Sequence, residues 1–354
     1  MPVEFSSRQR RQVQASTGAA SISPPQAQQQ QQQQHRPSRQ QWLSLSAPSS
    51  SPQRRGLQSG RSPGMTGFFN GLLYGLGGLA SVCLILLVAF QEKLVYVPVL
   101  PGLTREYPIF PSRFRLQYED VWLRAKDGVK LHSWFIKFDP PIRDIAHRLE
   151  FIDIMMQYLR CNVFMLSYRG YGASDGSPSQ WGLTQDAQAA LEHLLARDDI
   201  DQKRIAVFGR SLGGAVAVQL VKNNPGKVSV VILENTFTSI LEMAGIMMPF
   251  LKHVIGHRWK PLNFLVRSQW RSLDAIEQIR EPILFISGLK DEMIPPTHMK
   301  KLYEAAKSAR PRLMVEFSTG MHMDTWIHGK DAYWRAISNF LNQYASGADD
   351  RDTM

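Results

Sequence analysis

A serine flanked by glycines stands in the segment "FGRSLGG", where Gly209, Ser211 and Gly213 have the spacing G-x-S-x-G. The apolar run before it predicts a strand, and the run after it predicts a helix. A sharp strand-to-helix turn leaves little room for neighbouring Cβ atoms, so glycines fit beside the serine and its hydroxyl stands clear of the sheet. We therefore predict that Ser211 is a nucleophile; the alternative is a purely structural turn serine.

A serine hydroxyl is a poor nucleophile at neutral pH, so this chemistry requires a base and an acid that orients the base. Downstream, "ISGLKDEMIPP" places Asp291 just past a predicted strand, and "STGMHMDTW" places His322 just past the next one. The carboxyl ends of parallel strands meet at one edge of a sheet, where ligands bind. We predict that Asp291 holds one imidazole nitrogen of His322 while the other takes the Ser211 proton.

Other residues could fill these two roles. Glu292 and Glu234 are alternative acids at strand ends, and Asp291 could instead be a helix cap. His298 and His328 are alternative bases, although both are expected to be solvated helix or loop residues.

The elements that must position these residues alternate between strands and helices. A hairpin is predicted from "LQYEDVWLRA" and "VKLHSWFIKF" with Asp127-Gly128 in its turn. Five further strands are predicted at 162–168, 204–209, 228–235, 282–288 and 312–318, with helices at 184–197 and 297–309. Buried apolar strands that alternate with helices predict a mostly parallel sheet covered on both faces.

Six segments in order carry a resemblance to a known family: "QEKLVYVPVLPG", "LSYRGYG", "VFGRSLGGAV", "LENTFTS", "PILFISGLKDEMIPP" and "GMHMDTW". The chain resembles the α/β-hydrolase superfamily, and within it the membrane-anchored subfamily of the plant wavy-growth protein and the fungal bud-emergence-type hydrolases. The likeness runs from about Met65 to Tyr344. It implies an α/β-hydrolase fold with a small helical cap, a serine hydrolase with Ser211, Asp291 and His322 as catalytic residues, and one N-terminal membrane anchor.

The sequence is too short at one point to form every part of that fold. A third strand and a glycine-containing loop, which supplies a backbone donor to the oxyanion hole, are expected after the hairpin. Lys137 is followed by "FDPPIRD", and Ile145 already begins a predicted amphipathic helix. Seven residues cannot form both a strand and its loop. We expect the strand "SWFIKF" to be re-used as a central strand, or the sheet to carry a gap, and the simplest explanation is an exon omitted from the sequence.

The predicted oxyanion hole is accordingly incomplete. The backbone N–H of Leu212 is the one obvious donor, and the second donor is unknown. Tyr171, in "RGYGASDG", is a candidate for the mouth of the substrate pocket, although its neighbouring glycines are equally explained by a tight turn. The cap is expected at about residues 237–270, where a methionine and aromatic stripe could contact an acyl chain or simply pack the cap.

The first 64 residues have the composition of a disordered tail, with a glutamine run from Gln28 to Gln34, eight arginines and the single acid Glu4. The tail therefore contributes +7 of the chain's formal net charge of +11, so the high charge is not a nucleic-acid footprint. An organellar transit peptide would share this composition. Translation from Met65 is a further alternative.

A long uncharged segment follows, "GFFNGLLYGLGGLASVCLILLVAF" at 67–90. It is long enough to cross a bilayer, so residues 65–91 are predicted to be a transmembrane signal-anchor helix, with a buried core helix or a cleaved signal peptide as alternatives. Arginines on its N-terminal side favour a cytosolic N-terminus and a lumenal or extracellular catalytic domain, in the endoplasmic reticulum or plasma membrane. The remaining boundaries are a hydrolase domain at 92–344 and a short tail at 345–354.

The cysteines and the cofactor motifs give further predictions. Cys83 lies in the predicted span and Cys161 stands alone in the globular part, so no internal disulfide is predicted there. No metal cluster, phosphate loop or cofactor motif is present, so neither a metal nor a cofactor is predicted. Three functions remain: a membrane-anchored hydrolase of an ester, thioester or amide; a thioesterase acting on lipids or palmitoylated proteins; and a catalytically impaired membrane-tethered scaffold.

Overall fold

The computed structural model describes residues 63–96, 107, 109–138 and 149–345. The predicted tails lie almost wholly outside these residues, as does the short connection at 139–148. The helices are α1 (Pro63–Val95), α2 (Leu149–Leu159), α3 (Gln180–Leu195), α4 (Leu212–Asn223), α5 (Ile240–Met247), α6 (Ser272–Ile276), α7 (Thr297–Ala305) and α8 (Thr325–Tyr344). The strands are β1 (Tyr118–Arg124), β2 (Lys130–Ile136), β3 (Val163–Leu166), β4 (Ala206–Arg210), β5 (Val230–Glu234), β6 (Ile283–Gly288) and β7 (Arg312–Phe317).

Helix α1 contains the predicted span and extends beyond it at both ends. Its stretch Gly67–Val95 is long and apolar enough to cross a membrane. None of the 18 most apolar consecutive residues in this stretch is buried against the rest of the protein. Large side chains such as Phe68, Leu73 and Ile85 are more than half exposed. A helix that exposes apolar side chains all round is typical of a membrane span and not of a core helix.

The predicted hairpin is confirmed. Strands β1 and β2 pair antiparallel, and the turn between them contains Asp127 and Gly128, whose φ of 84° suits glycine. The Arg169 guanidinium donates a 2.6 Å hydrogen bond to the Asp127 carboxylate and also pairs with buried Asp186. This ion-pair network fixes the hairpin turn to the segment after β3.

The parallel sheet has the order β4-β5-β6-β7. Its two inner strands are buried along their whole length, so alternate residues supply two cores. Val231 and Leu233 pack in the core with α4, whereas Val230 and Ile232 pack against Tyr333 and other residues of α8. Helices therefore cover both faces of the sheet, as the sequence predicts.

In the part of the chain that the structure describes, the sheet carries a gap, which is one of the two outcomes expected from the short connection. β2, which contains most of "SWFIKF", lies between β1 and β3 in a separate three-stranded antiparallel sheet and does not pair with β4. Among the described residues no strand lies between β3 and β4. A cavity of about 730 Å³ opens there instead, lined by both strands and by apolar side chains that include Phe151 and Val216.

The segment predicted as a cap, residues 237–270, lies between β5 and β6. It forms α5 and two short 3-10 helices, Pro249–His253 and Asn263–Leu265. Leu241, Leu251 and Ile255 form a small buried cluster within it. The segment thus has an apolar core of its own.

Candidate active site

The turn between β4 and α4 holds Ser211 in a strained conformation. Ser211 has φ 54° and ψ −124°, a region that non-glycine residues rarely adopt. A Cβ at Gly209 would lie 2.4 Å from the carbonyl oxygen of Gly213, so only glycine fits at that position. The turn places the serine at the carboxyl end of β4 and at the start of α4.

The prediction that steric crowding requires glycine at position 213 is wrong. A Cβ built on Gly213 meets no atom within 4 Å, because this glycine faces the cavity beside β4. The close approach falls on the next residue instead, since a Cβ on Gly214 would lie 2.5 Å from Cβ of Thr236. Thr236 in turn donates a 2.6 Å hydrogen bond to the carbonyl of Ser211.

The structure brings Ser211, His322 and Asp291 into one hydrogen-bonded chain. The Ser211 hydroxyl oxygen lies 3.0 Å from Nε2 of His322, and Nδ1 of His322 lies 2.8 Å from Oδ2 of Asp291. The side chains of His322 and Asp291 are almost fully buried, so water competes little for these bonds. An imidazole placed between a hydroxyl and a carboxylate can move a proton to and from the serine.

Asp291 is itself fixed by the loop after β6. Its other carboxylate oxygen accepts hydrogen bonds from the backbone N–H groups of Met293 at 2.8 Å and Ile294 at 2.7 Å. The carboxylate therefore orients the imidazole while its own position is set by backbone donors.

The two alternative acids have other partners. Glu292 accepts a 3.1 Å hydrogen bond from the backbone N–H of His322 and so holds the main chain of the histidine, not its ring. Glu234 is fully buried and pairs with Arg210 at 2.8 Å and with the Tyr333 hydroxyl at 2.9 Å. Burial raises the pKa of the Glu234 carboxyl, and Arg210 opposes that shift.

The two alternative bases differ from each other. His328 is partly exposed and lies 3.2 Å from the Asp324 carboxylate, as expected of a solvated residue. The expectation that His298 is solvated is wrong, because this residue of α7 faces the protein interior and only 3% of its surface is exposed. Its Nδ1 lies 2.7 Å from the Thr238 hydroxyl, and desolvation lowers its pKa.

Asn235 positions the loop that carries His322, and the sequence analysis did not predict this role. It follows β5 with φ 44°, and its buried side-chain amide donates hydrogen bonds to the carbonyls of Met321 at 3.0 Å and His322 at 3.1 Å. Its side-chain oxygen accepts from the N–H of Gly288, at the end of β6. One amide thus connects three strand ends. The sequence does contain one indication of this role: an asparagine, a residue that tolerates positive φ, directly follows the apolar strand β5.

The remaining predicted site residues lie near this edge or outside the described residues. Leu212 is the first residue of α4, and an N–H in the first turn of a helix has no intrahelical acceptor, so it is free to bind an oxyanion. The expected position of the second donor falls at 139–148, outside the described residues. Tyr171 is half-buried in the turn after β3, and its role at the pocket mouth stays a prediction.

The described residues contain no group of three or more His, Cys, Asp or Glu side chains that could hold a metal ion.

Comparison with known proteins decides the family. The chain is 57% identical over 306 residues to the alpha/beta hydrolase domain-containing protein WAV2 of Arabidopsis thaliana, a match that covers 82% of this chain and 99% of that protein. The chain belongs to the α/β-hydrolase family. This hydrolase is also 36% identical to protein bem46 of Schizosaccharomyces pombe, with 77% of this chain and 94% of that protein covered. The predicted resemblance to the plant and fungal members is confirmed.

Other comparisons agree with this membership. An uncharacterized membrane protein of Saccharomyces cerevisiae is 35% identical, with 76% of this chain and 95% of that protein covered. The prolyl oligopeptidase family model matches residues 179–346 of the hydrolase. An esterase of Pyrococcus furiosus shares the fold, with a TM-score of 0.56 and 18% identity, over 71% of this chain and all of that one.

Proposed function

We propose that this α/β-hydrolase is a membrane-anchored serine hydrolase that cleaves an ester, thioester or amide through an acyl-Ser211 intermediate. The hydrogen-bonded chain of Ser211, His322 and Asp291 carries the proposal. These three residues come from separate strand ends, and such a chain in a buried site matches what acyl transfer requires.

The steps follow from the geometry. The Ser211 oxygen attacks the substrate carbonyl while its proton passes to Nε2 of His322, and the N–H of Leu212 stabilises the resulting oxyanion. His322 then returns the proton to the leaving alcohol, thiol or amine as the carbonyl re-forms. Water, activated by His322 in the same way, releases the acyl group as a carboxylic acid and restores the serine. Asp291 stabilises the His322 imidazolium during both acylation and deacylation of Ser211.

The gap between β3 and β4 supports a second candidate, a membrane-tethered scaffold with impaired catalysis. Loss of one oxyanion donor lowers turnover by on the order of a hundredfold to a thousandfold. A chain without the strand and its loop would keep the three aligned side chains yet hydrolyse substrate slowly.

Fluorophosphonate labelling of the full chain in membranes separates the two candidates. We expect labelling of the wild-type protein, none of Ser211→Ala or His322→Ala, and unchanged labelling of the control His328→Ala, which alters a partly exposed histidine. Labelling of Ser211→Ala would refute the assignment of the nucleophile. An unlabelled wild-type protein, present in normal amount, would favour the scaffold.

The membrane anchor is supported by the apolar exposed surface of α1 and by the homologue that is named a membrane protein. We expect the full chain to remain in the membrane pellet after alkaline extraction, and release into the supernatant would contradict the anchor. The flanking arginines favour a cytosolic N-terminus with the hydrolase domain on the other side. Protection of that domain from protease added to sealed microsomes tests this orientation.

A further inference from the structure

We propose that residues 258–267, which we call the interfacial loop, dock on the phospholipid headgroup layer of the bilayer that α1 enters. The proposal rests on the proposed membrane anchoring and goes beyond it, because it assigns a second membrane contact to the hydrolase domain itself.

The interfacial loop is bonded directly to the end of α1. The Gln91 side chain donates a 3.0 Å hydrogen bond to the carbonyl of Leu265 and accepts a 2.8 Å bond from the backbone N–H of Arg267. The Arg267 guanidinium donates to the carbonyl of Val88 at 2.9 Å. The end of the helix and the C-terminal end of the loop, at Leu265 and Arg267, are therefore held at the same level.

Two further contacts make this junction rigid. The Ser268 hydroxyl donates a 3.0 Å hydrogen bond to the Glu92 carboxylate, and the Trp270 indole N–H donates a 2.8 Å bond to the Tyr96 hydroxyl. Tyr96 and Trp270 are each only 1% exposed. Movement of the hydrolase domain away from the end of α1 would break these buried contacts.

The length of α1 sets the depth of this junction. The apolar stretch of α1 begins at Gly67. An α-helix rises about 1.5 Å per residue, so a hydrocarbon core of roughly 30 Å that begins at Gly67 ends near Val88, before the first charged residue, Glu92. The contacts of Arg267 and Gln91 therefore begin where the helix leaves the hydrocarbon. At that level the loop faces lipid headgroups.

The side chains of the loop suit this position. Trp259 is 89% exposed and Phe264 is 78% exposed, and both are close in sequence to Arg258 and Lys260. Tryptophan is enriched at membrane interfaces, and cationic side chains bind phosphate. Arg258 and Lys260 form no ion pair with any residue in the described ranges, so their charges are free to meet lipid phosphates. Single exposed apolar side chains are common on proteins, but these two belong to a loop whose C-terminal end is bonded to a membrane helix.

Environment-sensitive probes on the full chain in phosphatidylcholine vesicles test the proposal. The background carries Cys83→Ser and Cys161→Ala, and the fluorophore NBD is attached to one new cysteine at a time. Trp259→Cys and Phe264→Cys report on the loop, Val82→Cys reports on α1, and Leu313→Cys is the control, since Leu313 is an exposed apolar residue on strand β7.

We expect the probes at positions 259 and 264 to show blue-shifted emission and to lose most of their fluorescence to lipids with a spin label near the headgroup. The probe at 313 should stay solvent-like. Solvent-like probes at 259 and 264 beside a quenched probe at 82 would overturn the docking and leave the anchor intact. A solvent-like probe at 82 would refute the anchor and the docking together.

Discussion

The side-chain amide of Asn235 donates a 3.1 Å hydrogen bond to the backbone carbonyl of His322, and so couples the end of β5 to the loop that presents the candidate base. The same amide contacts the carbonyl of Met321 and the N–H of Gly288. The position of the imidazole therefore depends on a residue that does not touch the Ser211 hydroxyl.

Replacing Asn235 with alanine should slow the labelling of Ser211 by about tenfold or more and lower the free energy of unfolding by about 1–3 kcal/mol, because buried polar groups lose their partners. Labelling rates and thermal unfolding in detergent measure the two effects. Asn223→Ala, at an exposed asparagine near the end of α4, is the control. An Asn235→Ala protein that labels at the wild-type rate would contradict the positioning role.

Asp291 and Glu292 are adjacent carboxylates with different predicted effects. Asp291→Asn removes the charge that faces Nδ1 of His322 and should reduce hydrolysis by about ten-thousandfold, because the amide favours the wrong imidazole tautomer. Glu292→Gln keeps an oxygen acceptor for the His322 N–H and should change hydrolysis little. Turnover of a chromogenic ester compares the two variants. Equal losses would show that Asp291 has no special role.

The two glycines that flank Ser211 offer a matched pair of substitutions. Gly209→Ala places a Cβ against the backbone of Gly213 and should destabilise the protein and abolish labelling. Gly213→Ala faces open space and should shift the free energy of unfolding by less than about 1 kcal/mol. Severe destabilisation by Gly213→Ala would mean that the cavity beside β4 is filled in the folded protein.

A longer connection after Phe138 should supply the second oxyanion donor that the sequence analysis expects there. Insertion of an apolar strand and a glycine-containing loop between Phe138 and Ile145 should raise hydrolysis by on the order of a hundredfold to a thousandfold. It should also raise the melting temperature, since a strand there would pair with the edges of β3 and β4 that have no partner strand among the described residues. A Gly/Ser insert of equal length is the control. No gain over that control would show that the short connection is tolerated.

The sequence by itself determined the local features of this hydrolase. The strand-turn-helix around Ser211, the hairpin at Asp127-Gly128 and the exposed apolar helix α1 each follow from backbone sterics or side-chain periodicity within a few residues. The shortage of chain after Lys137 was likewise a matter of counting residues. It left two outcomes, a re-used strand or a gap in the sheet, and among the described residues the structure has the gap, between β3 and β4.

Only the tertiary structure decided which side chains meet. The choice of Asp291 over Glu292, the burial of His298 and the reach of Asn235 depend on how separate strand ends pack together. The contacts of Gln91 with Leu265 and Arg267 join residues more than 170 positions apart. Local patterns carry no record of such pairings, because shape complementarity and hydrogen-bond geometry select them only when the chain is packed.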